Sequence, residues 1–402
     1  MGRPNILVLG GNFAGLTAAL ELRRLLGNGA QITLVSKSRH FLFIPSLIWV
    51  PFGLRKERDL TFDIEPVLAR KGIHFHLDEV RRVDPGARQA VGAQRSYSFE
   101  YLVIATGFRP LYDVVPGLTP GENTYCLTNL QEAIQAYDGW KKFVDDPGSV
   151  VIGATQGAGC FGAAYEFLFN FAYQVKKAGV HRRTKLTYVT AEPFPGHFGI
   201  GGLKGGEAML RFFFKWLDVS YIGNAAIKEI VPGVVRLHDG GTLPYKYAMI
   251  MPPFGGAEMV LNSPGLGDGR GLIPVRPTYQ HVRYDNIYAA GASVDVKAPY
   301  QTTIATGVPK TGYPAEVMAR TAARNIAAQV KGEPPRYVKP FGEIPALCVM
   351  DAGNMGVLIV ADKMLPPRKF QLLVPGPQAH WAKVLFEKYF LWKMQRGYVS
   401  LP

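Results

Sequence analysis

An α/β fold with two Rossmann-like units, one of them split, and a C-terminal amphipathic helix is what this 402-residue sequence predicts. Three observations carry the prediction. A strand, a glycine turn, a helix and a second strand follow one another at the start of the chain, and the same order returns near residue 150. Residues 361–402 then combine net positive charge with an aromatic helical stripe. Size agrees, since about 100–200 residues per domain gives two or three domains here. Hydrophobic residues make up 48% and charged residues 19%, the balance of a folded, glycine-rich globular chain. A net charge of +14 and a pI near 9.6 favour an anionic partner, which local features must identify.

The first unit begins with the apolar run Asn5–Leu9, passes through Gly10-Gly11-Asn12-Phe13-Ala14-Gly15, and continues as a helical pattern to Leu26 and a strand Gln31–Ser36. Backbone amides of such a turn cradle a pyrophosphate. Asn12 stands where a second glycine is usual, and its tolerance of positive φ is expected to preserve the turn. The strand ends in Ser36-Lys37, where an acid would hold an adenine ribose, which argues against NAD in this unit. Two later pieces, Tyr101–Gly107 with its Ala105-Thr106-Gly107 turn and Asn286–Gly291 followed by Ala292, are further strands stopped by glycine. In this order the three resemble the split FAD-binding domain of two-dinucleotide-fold flavoproteins.

Inserted between them is the strand Val150–Ile152, the turn GATQGAGC, a helix to about Lys177, and a strand Lys185–Thr190. This turn is expected to lack its ribose-binding acid and to carry Cys160 at the helix start, where the macrodipole would stabilise a thiolate. Asp239-Gly240-Gly241 predicts a hairpin and Tyr247–Met251 a strand. The expected domains are thus 1–113 and 256–345 for the split unit, 114–255 for the insert, and 346–402 for the C-terminal segment.

No spanning helix is expected, because the most apolar run, Phe41–Leu54, holds Pro45 and Pro51 and falls short of about 20 residues. Neither a secretory signal nor, with Ile6 at its key position, a myristoylation motif is read at the N-terminus. Cys126, Cys160 and Cys348 suit individual thiols rather than a disulfide framework, and no metal site is expected. From His380 to Arg396, a helical projection puts Trp381, Leu385, Phe386, Tyr389 and Trp392 in one sector and Lys383, Glu387, Lys388 and Gln395 largely opposite. Snorkelling lysines and tryptophans suit an interfacial helix on an anionic membrane surface, and with no base-reading module there is no nucleic-acid partner.

The motifs GATQGAGCFGAAYEF, TGVPKTGY, EIPALCVMDAGNMG and HWAKVLFEKYFLWKM, in this order, resemble sulfide:quinone oxidoreductases along essentially the whole chain. The resemblance implies FAD held by Gly10–Gly15, Ser36, Lys37, Ala105, Thr106, Gly107, Gly291, Ala292, Lys310, Thr311 and Gly312, with Lys310 near the flavin pyrimidine. It also implies Cys160 and Cys348 joined by a disulfide or sulfur bridge, which sulfide opens to a persulfide and a thiolate, with Cys348 facing the flavin. Cys126 matches the family's third cysteine, while His197 and Glu166 are candidates for deprotonating H₂S. Membrane quinone would meet the opposite flavin face near Phe386 and Val349. A second C-terminal amphipathic helix and an aromatic partner of Phe386 have no counterpart here. The implied protein is a peripheral membrane enzyme passing electrons from sulfide to quinone, and a homo-oligomer is compatible with it. Alternatives are a type II NADH:quinone oxidoreductase, the flavin subunit of a flavocytochrome sulfide dehydrogenase, and a non-catalytic flavin redox sensor.

Overall fold

The computed structural model describes residues 2–399. Strand β1 (Asn5–Leu9) runs into helix α1 (Phe13–Leu26) and strand β2 (Gln31–Ser36), as the apolar spacing predicts. Strands β3 (His74–Leu77) and β4 (Tyr101–Ile104) join the same sheet. The chain then leaves through Arg109–Pro110 and returns through Phe254–Gly255, two short segments that pair antiparallel.

Between these crossings lie α2 (Leu130–Asp145), β5 (Ser149–Ala154), α3 (Phe161–Lys177), β6 (Lys185–Thr190), α4 (Gly206–Trp216), β7 (Val219–Ile222) and β8 (Tyr247–Met251). Their strands form a parallel sheet in the order β7-β6-β5-β8. The predicted hairpin is present, with residues 238–241 linking the paired segments Val234–Leu237 and Thr242–Pro244.

After the return, β9 (Ile287–Ala289) completes the first sheet as β9-β4-β1-β2-β3, parallel throughout. Helix α5 (Gly312–Val330) packs along α1. Both strand faces are covered by helices and loops, which is why β1, β4 and β9 read as continuous apolar runs.

The C-terminal segment is a separate antiparallel sheet, β10 (Ala346–Asp351), β11 (Gly356–Ala361) and β12 (Gln371–Gly376), followed by α6 (Pro377–Gln395). Among the described residues no helix is long and apolar enough to cross a membrane. The run Phe41–Leu54 is largely buried around a 3₁₀ segment, Ile44–Phe52, and so does not offer a second apolar surface.

The aromatic sector of helix α6 faces outward as expected, but its charged sector does not. Lys383, Glu387 and Lys393 are 3%, 0% and 1% exposed, whereas Trp381, Leu385, Phe386 and Trp392 are 63%, 67%, 40% and 41% exposed. Lys383 does not snorkel and Glu387 does not face water. The reason lies in distant partners: Lys383 pairs with Glu166 of α3, Arg55 donates to both Glu387 oxygens at 3.0 Å, and Lys393 meets Glu316 of α5 at 3.3 Å. Buried charges are tolerated when paired in this way, and α6 is thereby fixed to three other parts of the chain with its apolar sector outward.

Candidate active site

Four segments converge around the N-terminus of α1. Gly10 has φ +105°, and a Cβ on it would stand 2.3 Å from the Ala105 carbonyl oxygen; a Cβ on Gly15 would stand 1.9 Å from the Gly10 oxygen. Only glycine allows this approach of helix to strand. Asn12 differs from expectation, for it sits at φ −102° in extended conformation and needs no left-handed tolerance. Its side chain makes no capping bond, which leaves the first-turn amides of Phe13, Ala14 and Gly15 without a side-chain acceptor. Gly11 lies against Ser36, Gly291 against Ala14, and Gly312 against the Phe13 ring, while Lys37 is exposed. Thr106 Oγ1, at the same turn, is buried without a partner.

Lys310 Nζ donates to the carbonyls of Ala292 at 3.0 Å and Val294 at 2.7 Å, and burial lowers its pKa to about 8. Thr311 is the N-cap of α5. Close glycine packing, open helix-terminal amides, an orphaned hydroxyl and a buried ammonium are the features that fit a dinucleotide carrying an electron-accepting ring.

The second glycine turn is closed by the protein itself. Gly157 N–H donates to Ala305 O at 2.6 Å, Gly159 N–H to Pro252 O at 3.1 Å, and a Cβ on Gly307 would stand 2.2 Å from Ala158 O. The Gln156 side chain binds both backbone groups of Ile227. Contrary to expectation an acid is present: Glu192, two residues beyond β6, is fully buried. It accepts from Tyr165 Oη at 2.8 Å, Thr190 Oγ1 at 3.0 Å and the Phe198 amide at 2.6 Å, and burial raises its pKa to about 7. Those bonds turn it inward, away from any ribose.

Cys160 is the N-cap of α3 and Cys348 lies on β10, whose edge runs along α3. Both are free thiols in this structure. Each is held by its own regular element. The expected stabilisation of the Cys160 thiolate is also reversed: burial raises its pKa, outweighing the opposing amides of Ala163 and Gly162. Cys348 goes up to about 12 through burial first, then the charges of Glu166 and of Cys160 itself, so the two thiols are within electrostatic reach. Yet Cys348 has accessible surface.

The charge of Glu166 reaches both thiols. Its Oε1 accepts from the Asp351 amide at 2.8 Å and from Lys383 Nζ, and burial raises its pKa to about 6 against the opposing pull of Lys383. Asp351, fully buried, accepts from Trp49 Nε1 at 2.8 Å and meets His380 Nδ1 of α6 at 2.6 Å. Sequence reasoning missed Lys383, Asp351, His380, Trp49 and Glu192. The spacing 379, 383, 387, 390, 394, a buried helical stripe with two charges in it, was the signal available for Lys383.

Among the described residues no hydrogen bond or ion pair joins the side chains of His197 or Cys126 to Glu166, Lys383, Asp351 or His380. His197 accepts from the Gly199 amide at 3.2 Å, and burial lowers its pKa. Cys126 is fully buried with its Sγ 3.9 Å from Met251 Sδ, and burial pushes its thiol far up.

Strand alternation separates two sides of β10. Asp351 reaches α6 through His380, and a Cβ on its partner Gly356 would meet Ala379 of α6 at 3.2 Å, so Asp351 and Val349 share the α6 side. Cys348 and Met350 point the other way. Phe386 stands 5.8 Å from Phe43 and 5.7 Å from Phe390, ring to ring, on the exposed sector of α6.

If Glu166 takes the proton from incoming sulfide, the rate of sulfide-dependent reduction should rise with pH through about 6. Glu166→Gln is expected to remove that limb and to slow the step about a hundredfold, which a stopped-flow pH profile measures.

Residues 4–192 match the family model described as "Pyridine nucleotide-disulphide oxidoreductase". The sulfide-quinone reductase of Aquifex aeolicus (strain VF5) is 32% identical over 98% of this chain and 92% of its own length. The X-ray structure of the sulfide:quinone oxidoreductase from the hyperthermophilic bacterium Aquifex aeolicus superposes with a TM-score of 0.94 over 99% of this chain and 93% of that one. A type II NADH:quinone oxidoreductase of Staphylococcus aureus (strain MSSA476) is 28% identical over 91% of this chain and 92% of its own. With identity of this level sustained along nearly the full length of both chains, the protein belongs to the sulfide-quinone reductase family.

Proposed function

We propose that this protein is an FAD-dependent sulfide:quinone oxidoreductase that works at a membrane surface. One observation carries the reading: two thiols, Cys160 and Cys348, share one buried carboxylate, Glu166, while the nucleotide turn beneath them is closed. The type II NADH:quinone oxidoreductase reading needs that turn open.

Bound FAD supplies a two-electron acceptor between the sulfur and quinone sides. Gly10–Gly15, Ser36, Thr106 and Gly291 would hold the dinucleotide, and Lys310, protonated in most molecules at neutral pH, would place positive charge beside it. On the sulfur side, a Cys160–Cys348 linkage would arise when the two free thiols give up two electrons to bound FAD and release two protons, and HS⁻ then attacks one of its sulfurs. One S–S bond forms to the incoming sulfur and one breaks, leaving a persulfide on one cysteine and a thiolate on the other. Lys383 opposes the charge of that thiolate, and Glu166 accepts the proton of H₂S. His197, neutral when buried, and Cys126, sealed in the core, support the fold around this centre rather than entering the exchange. On the other side of β10, Val349 and Phe386 border the approach of a quinone from the apolar sector of α6.

Steady-state quinone reduction tests the choice of donor. Sulfide should drive it, and NADH at the same concentration should not; rapid turnover with NADH would favour the alternative.

A further inference from the structure

A cleft of about 980 Å³ lies between α3, α4 and the face of the β10–β12 sheet that carries Cys348. Phe169 and Tyr173 of α3, Phe213 of α4, and Met350, Ile359 and Leu373 of the sheet line it. Cys348, Ile359 and Leu373 are successive cross-strand partners, so their side chains form one row on one face, and Met350 belongs to the adjacent row of that face. On α3, Glu166, Phe169 and Tyr173 follow at helical spacing, so the stripe that begins beside the thiols continues along the cleft wall. The far end is basic. Lys176, Lys177, His181 and Arg182 line it against the single rim acid Asp218, since Asp351 is engaged by Trp49 and His380.

Resting on the sulfide-oxidising reading above, we propose that this cleft holds the released sulfur product, a linear polysulfide anion, and passes it to solvent. The chain atoms of a polysulfide are polarisable and weakly hydrated, which suits aromatic and thioether walls, and its ends are anionic, which suits the basic mouth. The cleft lies on the Cys348 face of β10, and the quinone approach lies on the Val349 face. Sulfur therefore leaves without crossing the path of the quinone.

The test uses the cofactor-loaded protein and inorganic tetrasulfide as probe. In a Cys160→Ser/Cys348→Ser background, which cannot exchange sulfur, anaerobic equilibrium dialysis should show tetrasulfide binding. Lys176→Glu/Lys177→Glu, at two exposed positions, should weaken it roughly tenfold, and Ala172→Trp, which fills the cleft wall, should abolish it. With both cysteines intact, the charge reversal should leave the first reduction by sulfide unchanged while slowing steady-state turnover and shortening the chains trapped by alkylation. Unchanged tetrasulfide affinity in the charge-reversed protein overturns the proposal. So does loss of binding to anionic vesicles with tetrasulfide binding intact, which would assign the cleft to lipid. Failure of sulfide to reduce the wild-type protein overturns the parent reading by itself, whatever tetrasulfide does.

Discussion

Cys160→Ser and Cys348→Ser are each expected to lower sulfide-dependent quinone reduction by about 10³-fold or more, the scale on which loss of an essential nucleophile is felt. Neither cysteine can form the exchanging linkage alone. Cys160 is the N-cap of α3 and Cys348 lies within strand β10, and serine fits both places with little change of volume, so the variants should keep their flavin and their fold. Cys126→Ala is expected to retain most of the activity. Its thiol is fully buried against Met251 and is raised far from the range in which a thiolate forms. Flavin content measured beside turnover separates a chemical defect from a folding one. Equal loss in all three variants would contradict the assigned division.

The second large effect is expected at the membrane. Trp381→Ser, Leu385→Ser and Trp392→Ser together remove three outward apolar side chains, each worth about 1.5 kcal/mol or more when buried. A combined loss of about 4.5 kcal/mol corresponds to roughly 10³-fold weaker vesicle binding, read by co-sedimentation. Salt should matter less. Lys383 and Lys393 are consumed in buried pairs, which leaves exposed Lys388 and Arg396 on this helix at roughly 1 kcal/mol each at low ionic strength. Point substitution is the right instrument here. Deleting α6 would take Lys383 from Glu166, Glu387 from Arg55 and Lys393 from Glu316, and breaking a buried ion pair by removing one partner costs about 3–5 kcal/mol. Detachment and unfolding would then be confounded. Reduction of long-tailed quinones should fall with vesicle binding in the triple variant, while that of short, soluble quinones persists.

Much of the scaffold was legible because its signals are local. The runs Asn5–Leu9, Gln31–Ser36, Lys185–Thr190 and Tyr247–Met251 are short, apolar and bounded by turn residues, and each is a strand with the bounds read from sequence. Gly10 and Gly15 announced a close helix–strand approach that the backbone geometry realises.

What failed were inferences about side chains whose partners lie far along the chain. Apolar periodicity located the sectors of α6 correctly but assigned the charged one to water, because Glu166, Arg55 and Glu316 lie far along the chain. The macrodipole argument for Cys160 used one helix and ignored the desolvation supplied by the elements packed over it. Glu192 was overlooked because it stands past the end of β6, and only its bonds to Tyr165, Thr190 and Phe198 show that it has been withdrawn from nucleotide binding. Asp351 and His380 meet only because β10 and α6 are packed together.

Electrons are expected to enter from sulfide through the Cys160 and Cys348 centre, and an anaerobic flavin titration tests that most directly. Sulfide added to the wild-type protein should bleach the oxidised flavin absorbance, and a subsequent addition of quinone should restore it. In Cys348→Ser the absorbance should not respond to sulfide, although quinone should still reoxidise flavin that has been reduced photochemically. Bleaching of Cys348→Ser at the wild-type rate would contradict the account.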